Sequence, residues 1–271
     1  MVTGANHGVG AATARALAAQ GAAVLITYLR LPVEAAGVSE AAGGPGQAMP
    51  ADEVLARISR EGGRAEVLEA DLADPTSVPR IFDKAEATLG PVDVLVNNAA
   101  HCVADTFLPQ SVLSEETRAP DGTGVRTVTP EEHDRHFAVN SRAAALMMAE
   151  FARRYIERGA SWGRIVNVST DGAYVFPREV SYGASKLALE GYTRSAAVEL
   201  GPSGITVNTV SLGAVQTGWI SPELEERLSA EYPLRRVGRP EDVADVIVFF
   251  ASEQARWVTA QTLYVGGGHA M

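Results

Sequence analysis

Tyr182 and Lys186 stand four positions apart in the run Tyr182-Gly183-Ala184-Ser185-Lys186, at the start of a segment with helical periodicity. Four residues make about one helical turn, so phenol and ammonium project from one face. An ammonium beside a phenol stabilises the phenolate, which turns a feeble acid into one usable as a general acid/base near neutrality. Ser169 ends a β-branched run upstream and offers a hydroxyl to hold a substrate oxygen while Tyr182 gives or takes the proton. The same spacing also occurs on solvated helices, so the pair needs other motifs beside it.

A second chemistry-bearing stretch lies at the other end of the chain, Thr3-Gly4-Ala5-Asn6-His7-Gly8-Val9-Gly10, directly before a helix of alanines, leucine and arginine. Such a turn lets backbone approach a pyrophosphate while the helix N-terminus supplies N–H donors and partial positive charge. Glycines also build ordinary turns. What favours binding is the strand that follows at the interval a mononucleotide-binding βαβ unit requires. That strand ends Thr27-Tyr28-Leu29-Arg30. An acidic residue there selects NAD through the ribose hydroxyl, whereas Arg30 suits a 2′-phosphate, so NADP is expected over NAD. The alternative is that Arg30 is a solvated loop residue.

These residues need elements to carry them. Strands are expected at Val24–Tyr28, Ala65–Glu69, Val92–Asn97, Gly163–Ser169, Ile205–Ser211 and Gln261–Val265. Helices are expected at Gly10–Gln20, Asp52–Glu61, Val78–Leu89, Pro130–Arg158, Tyr182–Leu200 and Pro240–Ser252. Thr129 before Pro130, and acid in the turn after Arg239-Pro240, mark two helix starts. The alternation predicts a single α/β domain over 1–271, a doubly wound, Rossmann-type parallel sheet with helices on both faces. Residues 31–50 and 105–127 read as loop insertions, the second placed to reach a substrate. Only Met1 and Val2 precede the glycine turn, where such a fold needs its central strand. A strand that short should leave neighbouring amides unpaired, so the reading expects either a natural start upstream or weakened structure around the cofactor.

With those motifs in place, the sequence resembles the short-chain dehydrogenase/reductase family over nearly its whole length. The resemblance rests, in order, on the TGANHGVG turn, Asp71-Leu72, Asn97-Asn98-Ala99-Ala100, Asn140 in FAVN, Ser169, the YGASK box, LGAVQT and RPEDVA. It implies that Tyr182 is the general acid/base, that Lys186 tunes it and binds the nicotinamide ribose, that Ser169 orients the substrate carbonyl, and that Asn140 holds a proton-relaying water. It also implies cofactor contacts from Gly4, Asn6, His7, Gly8, Val9 and Gly10, Asp71 and Leu72 at the adenine, Asn98 and Ala99 along the ribose, and Val215 and Thr217 at the carboxamide. His7 takes a place that NADP-dependent relatives often fill with a basic residue. Ala100, Leu212 and Gly266 depart from the family's glycine, proline and aspartate, which bears on the nicotinamide end and not on the proton relay.

The substrate pocket is expected between Tyr174, Phe176, Pro177 and Arg178 on one side and Trp219, Ile220 and Leu224 on the other, aromatic walls that suit an apolar or cyclic small molecule unless they are core. Arg178 would meet an anionic group. Likeness to the 3-oxoacyl carrier-protein reductases is broad, but the insertions and acidity set this chain apart. A net charge of −10 with no basic stripe excludes a general nucleic-acid binder. The single cysteine, Cys102, excludes an internal disulfide, and with no apolar leader or span the expected setting is cytoplasmic, without membrane partners. No His, Cys or Asp cluster has metal-ligand spacing, and His101 and His136 read as structural. Small apolar runs such as Ala143–Met148 and Ala196–Val198 exceed what one helix face needs, so a homotetramer or dimer is expected. A non-catalytic dinucleotide sensor or scaffold is the competing reading.

Overall fold

The computed structural model describes residues 1–30, 51–114, 117–119 and 122–269; the expected insertion at 31–50 lies outside them. Residues 8–10 of the glycine turn open α1 (Gly8–Ala19), followed by β1 (Ala23–Tyr28), α2 (Asp52–Arg60), β2 (Arg64–Glu69), α3 (Ser77–Thr88) and β3 (Val94–Asn97). Then come two short strands, β4 (Asp105–Thr106) and β5 (Arg126–Thr127), before α4 (Pro130–Phe137), a π-helical turn at Ala138–Ala143 and α5 (Ala144–Glu157). The remainder is β6 (Gly163–Thr170), α6 (Val180–Leu200), β7 (Ile205–Leu212), α7 (Pro222–Glu231), α8 (Pro240–Phe250) and β8 (Thr262–Val265).

Every pairing in the main sheet is parallel: β1 with β2, β3 with β6, β6 with β7 and β7 with β8. Val2 joins the halves by bridging in parallel to Ile26 on one side and Val96 on the other. The order is therefore β2, β1, Val2, β3, β6, β7, β8, a doubly wound sheet whose direction of winding reverses at Val2, where a crevice opens at the strands' carboxyl ends. The short central strand does not leave its neighbours unpaired. Val2 donates to the Leu25 carbonyl (2.9 Å) and accepts from the Thr27 amide (3.0 Å), the Met1 carbonyl accepts from Val96 (2.9 Å), and Thr3 donates to Val96 (3.0 Å).

Alternation along the strands builds two cores. Val24, Ile26, Val96, Val166 and Val210 pack with α1, α2 and α8, while Leu25, Leu95, Ile165 and Val207 pack with α3, α5 and α6, including Phe82, Met147, Phe151 and Tyr155. Both faces are covered, which is why the strands read as near-continuous apolar runs. The helix starts are as expected: the Thr129 hydroxyl accepts from the Glu132 amide (3.3 Å), and the Asp242 carboxylate accepts from the Arg239 amide (2.7 Å). Three features depart from the sequence reading. The expected helix from Pro130 to Arg158 contains the π turn, α7 is an additional helix, and the segment 105–127 carries the parallel pair β4–β5. A two-residue strand or a wide turn has too little periodicity to be seen in sequence.

Candidate active site

The carboxyl ends of the strands surround a cavity of about 650 Å³, within the size range of small-molecule sites. Ser169, Tyr182 and Lys186 line one end, and Gly4, Asn6, His7, Gly8, Val9 and Gly10 line the other, with Asp71, Leu72, Asn98, Ala99, Val215 and Thr217 between them. Residues scattered from the first turn to position 217 thus converge on one space: the turns follow the ends of parallel strands, Ser169 lies near the end of β6, and Tyr182 and Lys186 lie in α6.

At the glycine end, the turn is held by Asn98, whose side-chain amide donates to the carbonyls of Thr3 and Gly4 (both 2.9 Å). Gly4 and Gly8 have φ of +62° and +55°, and a Cβ at Gly4 would lie 2.7 Å from Ala99 Cα, one at Gly8 2.9 Å from Thr217 Cγ2. No side chain caps α1 and no acid occupies its first turn, so its leading N–H groups and dipole face the cavity. His7 Nδ1 is buried with no hydrogen-bond partner among the described residues, and burial lowers the His7 pKa. A backbone cradle that side chains would obstruct, open helix donors and an orphaned imidazole nitrogen together fit the phosphates of a dinucleotide.

Arg30 is placed differently from its expectation. It lies outside the cavity wall, exposed, with Nε and Nη2 donating to Glu69 Oε2 at 3.0 and 2.7 Å. A carboxylate therefore does stand at this edge, contributed by the end of β2, a juxtaposition that no local pattern around Arg30 reveals.

At the other end of the cavity, α6 presents Tyr182 and Lys186 on one face. Lys186 is wholly buried; its Nζ donates to the Val168 carbonyl (2.8 Å) and lies 5.8 Å from the centre of the Tyr182 ring. Burial lowers the Lys186 pKa to about 8. Tyr182 is shifted the other way: burial pushes the phenol well above its ordinary value, and the negative potential of Cys102, Glu179 and Asp171 adds to the effect. Desolvation, which disfavours phenolate, sets a direction opposite to the lowering expected from Lys186. Cys102, Glu179 and Asp171 all line the cavity and arrive from separate segments, so sequence spacing carried no signal for them.

Asn140 lies in the π turn, a distortion often found at functional sites. Its Nδ2 donates to the His101 carbonyl (2.8 Å) and Ser185 Oγ (2.9 Å), and its Oδ1 accepts from the His101 amide (2.7 Å). Both amide hydrogens are committed, so the side chain braces the loop after β3 against α6 rather than offering donors to a water. His136, wholly buried, completes the clamp: Nδ1 donates to the Glu132 carbonyl (2.7 Å) and Nε2 accepts from the Val103 amide (3.1 Å). His101, Glu132 and His136 do gather ligand atoms within 4.8 Å, which spacing alone had not suggested. With both His136 nitrogens engaged and His101 Nε2 3.1 Å from Glu132 Oε2, the trio acts as a clamp on the loop.

Of the expected substrate walls, Phe176 and Trp219 line the cavity. Tyr174, Arg178, Pro177, Ile220 and Leu224 do not; Arg178 instead donates to the Arg118 carbonyl (2.9 Å), tying the segment before α6 to the 105–127 insertion. The wall also includes Leu228 and Tyr232 from the region of α7, and His269, whose Nδ1 lies 2.9 Å from Asp171 Oδ2.

The profile of the family described as Enoyl-(Acyl carrier protein) reductase matches residues 46–270. The chain is 33% identical over 272 residues to the uncharacterized oxidoreductase YjdA of Bacillus subtilis, covering 99% of this chain and 95% of that one. It is 32% identical to the hydroxynaphthalene reductase-like protein Arp2 of Metarhizium robertsii, over 99% of this chain and 93% of the relative. Among solved structures, a blue fluorescent protein from a metagenomic library, in complex with NADPH, superposes with a TM-score of 0.77 at 31% identity, covering 100% of this chain and 96% of that one. Sequence, fold and site agree, and the chain belongs to the short-chain dehydrogenase/reductase family of oxidoreductases.

Proposed function

We propose that this protein is an NADP(H)-dependent oxidoreductase acting on the carbonyl or alcohol of a small cyclic substrate, with Tyr182 as general acid/base. The observation that carries this reading is the convergence of Ser169, Tyr182 and Lys186 on the cavity whose far end is the glycine cradle. When bound there, nicotinamide supplies or accepts the hydride. Tyr182, kept protonated by burial, gives its proton to a carbonyl oxygen in reduction and takes it back in oxidation. Lys186 sits against the phenol and holds positive charge below about pH 8. Phe176 and Trp219 provide aromatic walls, and the resemblance to a hydroxynaphthalene reductase-like protein favours a fused or aromatic ring ketone over an acyl chain. Preference for NADP rests on His7 in the cradle and on Arg30, next in the chain to the cavity-lining Leu29, whose guanidinium would exchange Glu69 for a 2′-phosphate.

NADPH consumption with a panel of cyclic ketones, quinones, diketones and β-keto esters tests the assignment. Turnover that Tyr182→Phe abolishes supports it. Tight NADPH binding with no turnover of any carbonyl would favour a sensor instead, and full activity in Tyr182→Phe would remove Tyr182 as the general acid/base.

A further inference from the structure

After β8 the chain returns to the cavity. The His269 amide closes a turn on the Gly266 carbonyl (3.0 Å), and this turn rests on the end of β7, where a Cβ at Gly213 would lie 2.9 Å from Gly266 Cα. Backbone packed that closely brings His269 into the cavity wall with Asp171, Gly213 and Tyr232. Two contacts fix its ring. It stands edge-on to the buried Tyr232, with centroids 4.7 Å apart, and its Nδ1 lies 2.9 Å from Asp171 Oδ2. The Tyr232 hydroxyl is held in turn by the Ala214 amide, from which it accepts at 2.9 Å.

The pair is asymmetric. The Asp171 side chain is 14% accessible and that of His269 41%, so the imidazole is the member a ligand meets. A carboxylate accepts and does not donate, so the proton between them sits on Nδ1, and the neutral ring then turns a lone pair outward at Nε2. Nδ1 is the one ring nitrogen with a partner among the described residues. Ser169 and Asp171 stand two positions apart at the end of β6, roughly 7 Å of extended chain, which brings Ser169 and His269 within reach of a single ring system.

We propose that His269, oriented by Asp171, is a specificity-determining residue that accepts a hydrogen bond from a hydroxyl on the substrate ring, remote from the reacting carbonyl. The substrate class is then hydroxylated cyclic ketones. The inference rests on the proposed placement of the ketone at Ser169 and Tyr182.

Binding of ketones to the oxidised-cofactor complex tests it without turnover, because that complex has no hydride to give. The probes are α-tetralone, its hydroxy derivatives on the aromatic ring and the matching methoxy derivatives, titrated calorimetrically into the full chain saturated with NADP or NAD. A phenolic hydroxyl donates to Nε2, whereas a methoxy oxygen has no proton to give. In wild type at least one hydroxy isomer should bind about fivefold to tenfold more tightly than both the parent ketone and its methoxy counterpart, the worth of one hydrogen bond. His269→Phe keeps a ring against Tyr232 and removes the acceptor, so that ratio should fall to within about twofold of unity. Asp171→Ala frees the proton to move to Nε2 and should bring the ratio below about threefold. Effects on Tyr182 or on stability act on both members of a pair and cancel in the ratio, and either variant suffices should the other not fold.

A wild type that binds no hydroxy isomer more tightly than the parent overturns the inference. So does a methoxy derivative that binds as well as its hydroxy counterpart, because Nε2 then donates, and so does a preference that survives His269→Phe or Asp171→Ala. Failure of the functional reading looks different: Tyr182→Phe would retain turnover with NADPH, a result that leaves the affinity ratios of the oxidised complex unmoved.

Discussion

The Arg30 guanidinium grips the Glu69 carboxylate across the ends of the neighbouring strands β1 and β2, with Nη2 to Oε2 at 2.7 Å. A 2′-phosphate must compete with that carboxylate for Arg30, and the carboxylate itself repels it. Glu69→Gln should therefore raise the ratio of kcat/KM for NADPH to that for NADH by about threefold, in keeping with an exposed pair worth less than about 1 kcal/mol. Arg30→Ala should lower the same ratio. A wild-type preference for NADH that Glu69→Gln leaves unchanged would remove Arg30 from the cofactor site.

Tyr182→Phe should lower kcat by about 10² or more while leaving the far-ultraviolet spectrum unchanged, since general acid–base catalysis is typically worth 10²–10⁴. For Lys186, Met is a better replacement than Ala. The side chain is wholly buried, so truncation opens a cavity and confuses lost catalysis with lost stability. Lys186→Met should be as inactive as Tyr182→Phe yet remain folded by thermal melting.

The pH profile follows from the placement of Lys186. Below about pH 8 the ammonium and the phenol both hold their protons, so kcat/KM for carbonyl reduction should be level there and fall above it. The fall approaches about tenfold per unit of pH. Stability changes in the opposite sense. Because the folded value of about 8 lies below the ordinary 10.5, charged Lys186 costs stability at and below pH 8, and the cost fades as pH rises between those values. Chemical denaturation at pH 7.5 and 9.5 should show this gain in wild type and not in Lys186→Met.

A second pH effect is expected from His7. A neighbouring phosphate favours the imidazolium and burial opposes it, so protonation on NADP binding should occur on the acid side of the ordinary value near 6.5. The NADPH advantage should therefore be flat at alkaline pH and widen toward acid pH. In His7→Ala that widening should vanish; its persistence would assign it to another group.

Association is the remaining expectation. Leu146 on α5 and Tyr192 and Val198 on α6 are exposed, Val198 at 76%, as are Phe249 on α8 and Leu263 and Tyr264 on β8. Two separate apolar faces suit a tetramer with two kinds of twofold contact. Light scattering should report four copies, and Val198→Glu should halve the mass. A monomer at micromolar concentration would reject the assembly.

The sequence by itself determined the alternation of strands and helices, the glycine turn and the Tyr182–Lys186 pair, because each is written in local spacing: period two in strands, period 3.6 in helices, and four residues to a turn. It also carried the family resemblance, whose motifs lie at strand ends, in the π turn and at the starts of α6 and α8. What only the tertiary structure decided was everything set by contact between distant segments. Arg30 meets Glu69 because β1 and β2 are neighbours in register, and Ser169 meets Glu190 because α6 packs across the end of β6. The phenol of Tyr182 is pushed up rather than down because desolvation disfavours the phenolate and the negative potential of Cys102, Glu179 and Asp171 adds to it. Arg178 leaves the cavity for a carbonyl in the insertion. Local pattern specifies which residues face the core, whereas electrostatics and hydrogen-bond partners depend on distances of a few ångströms between chain segments, and those exist only once the sheet has closed around them.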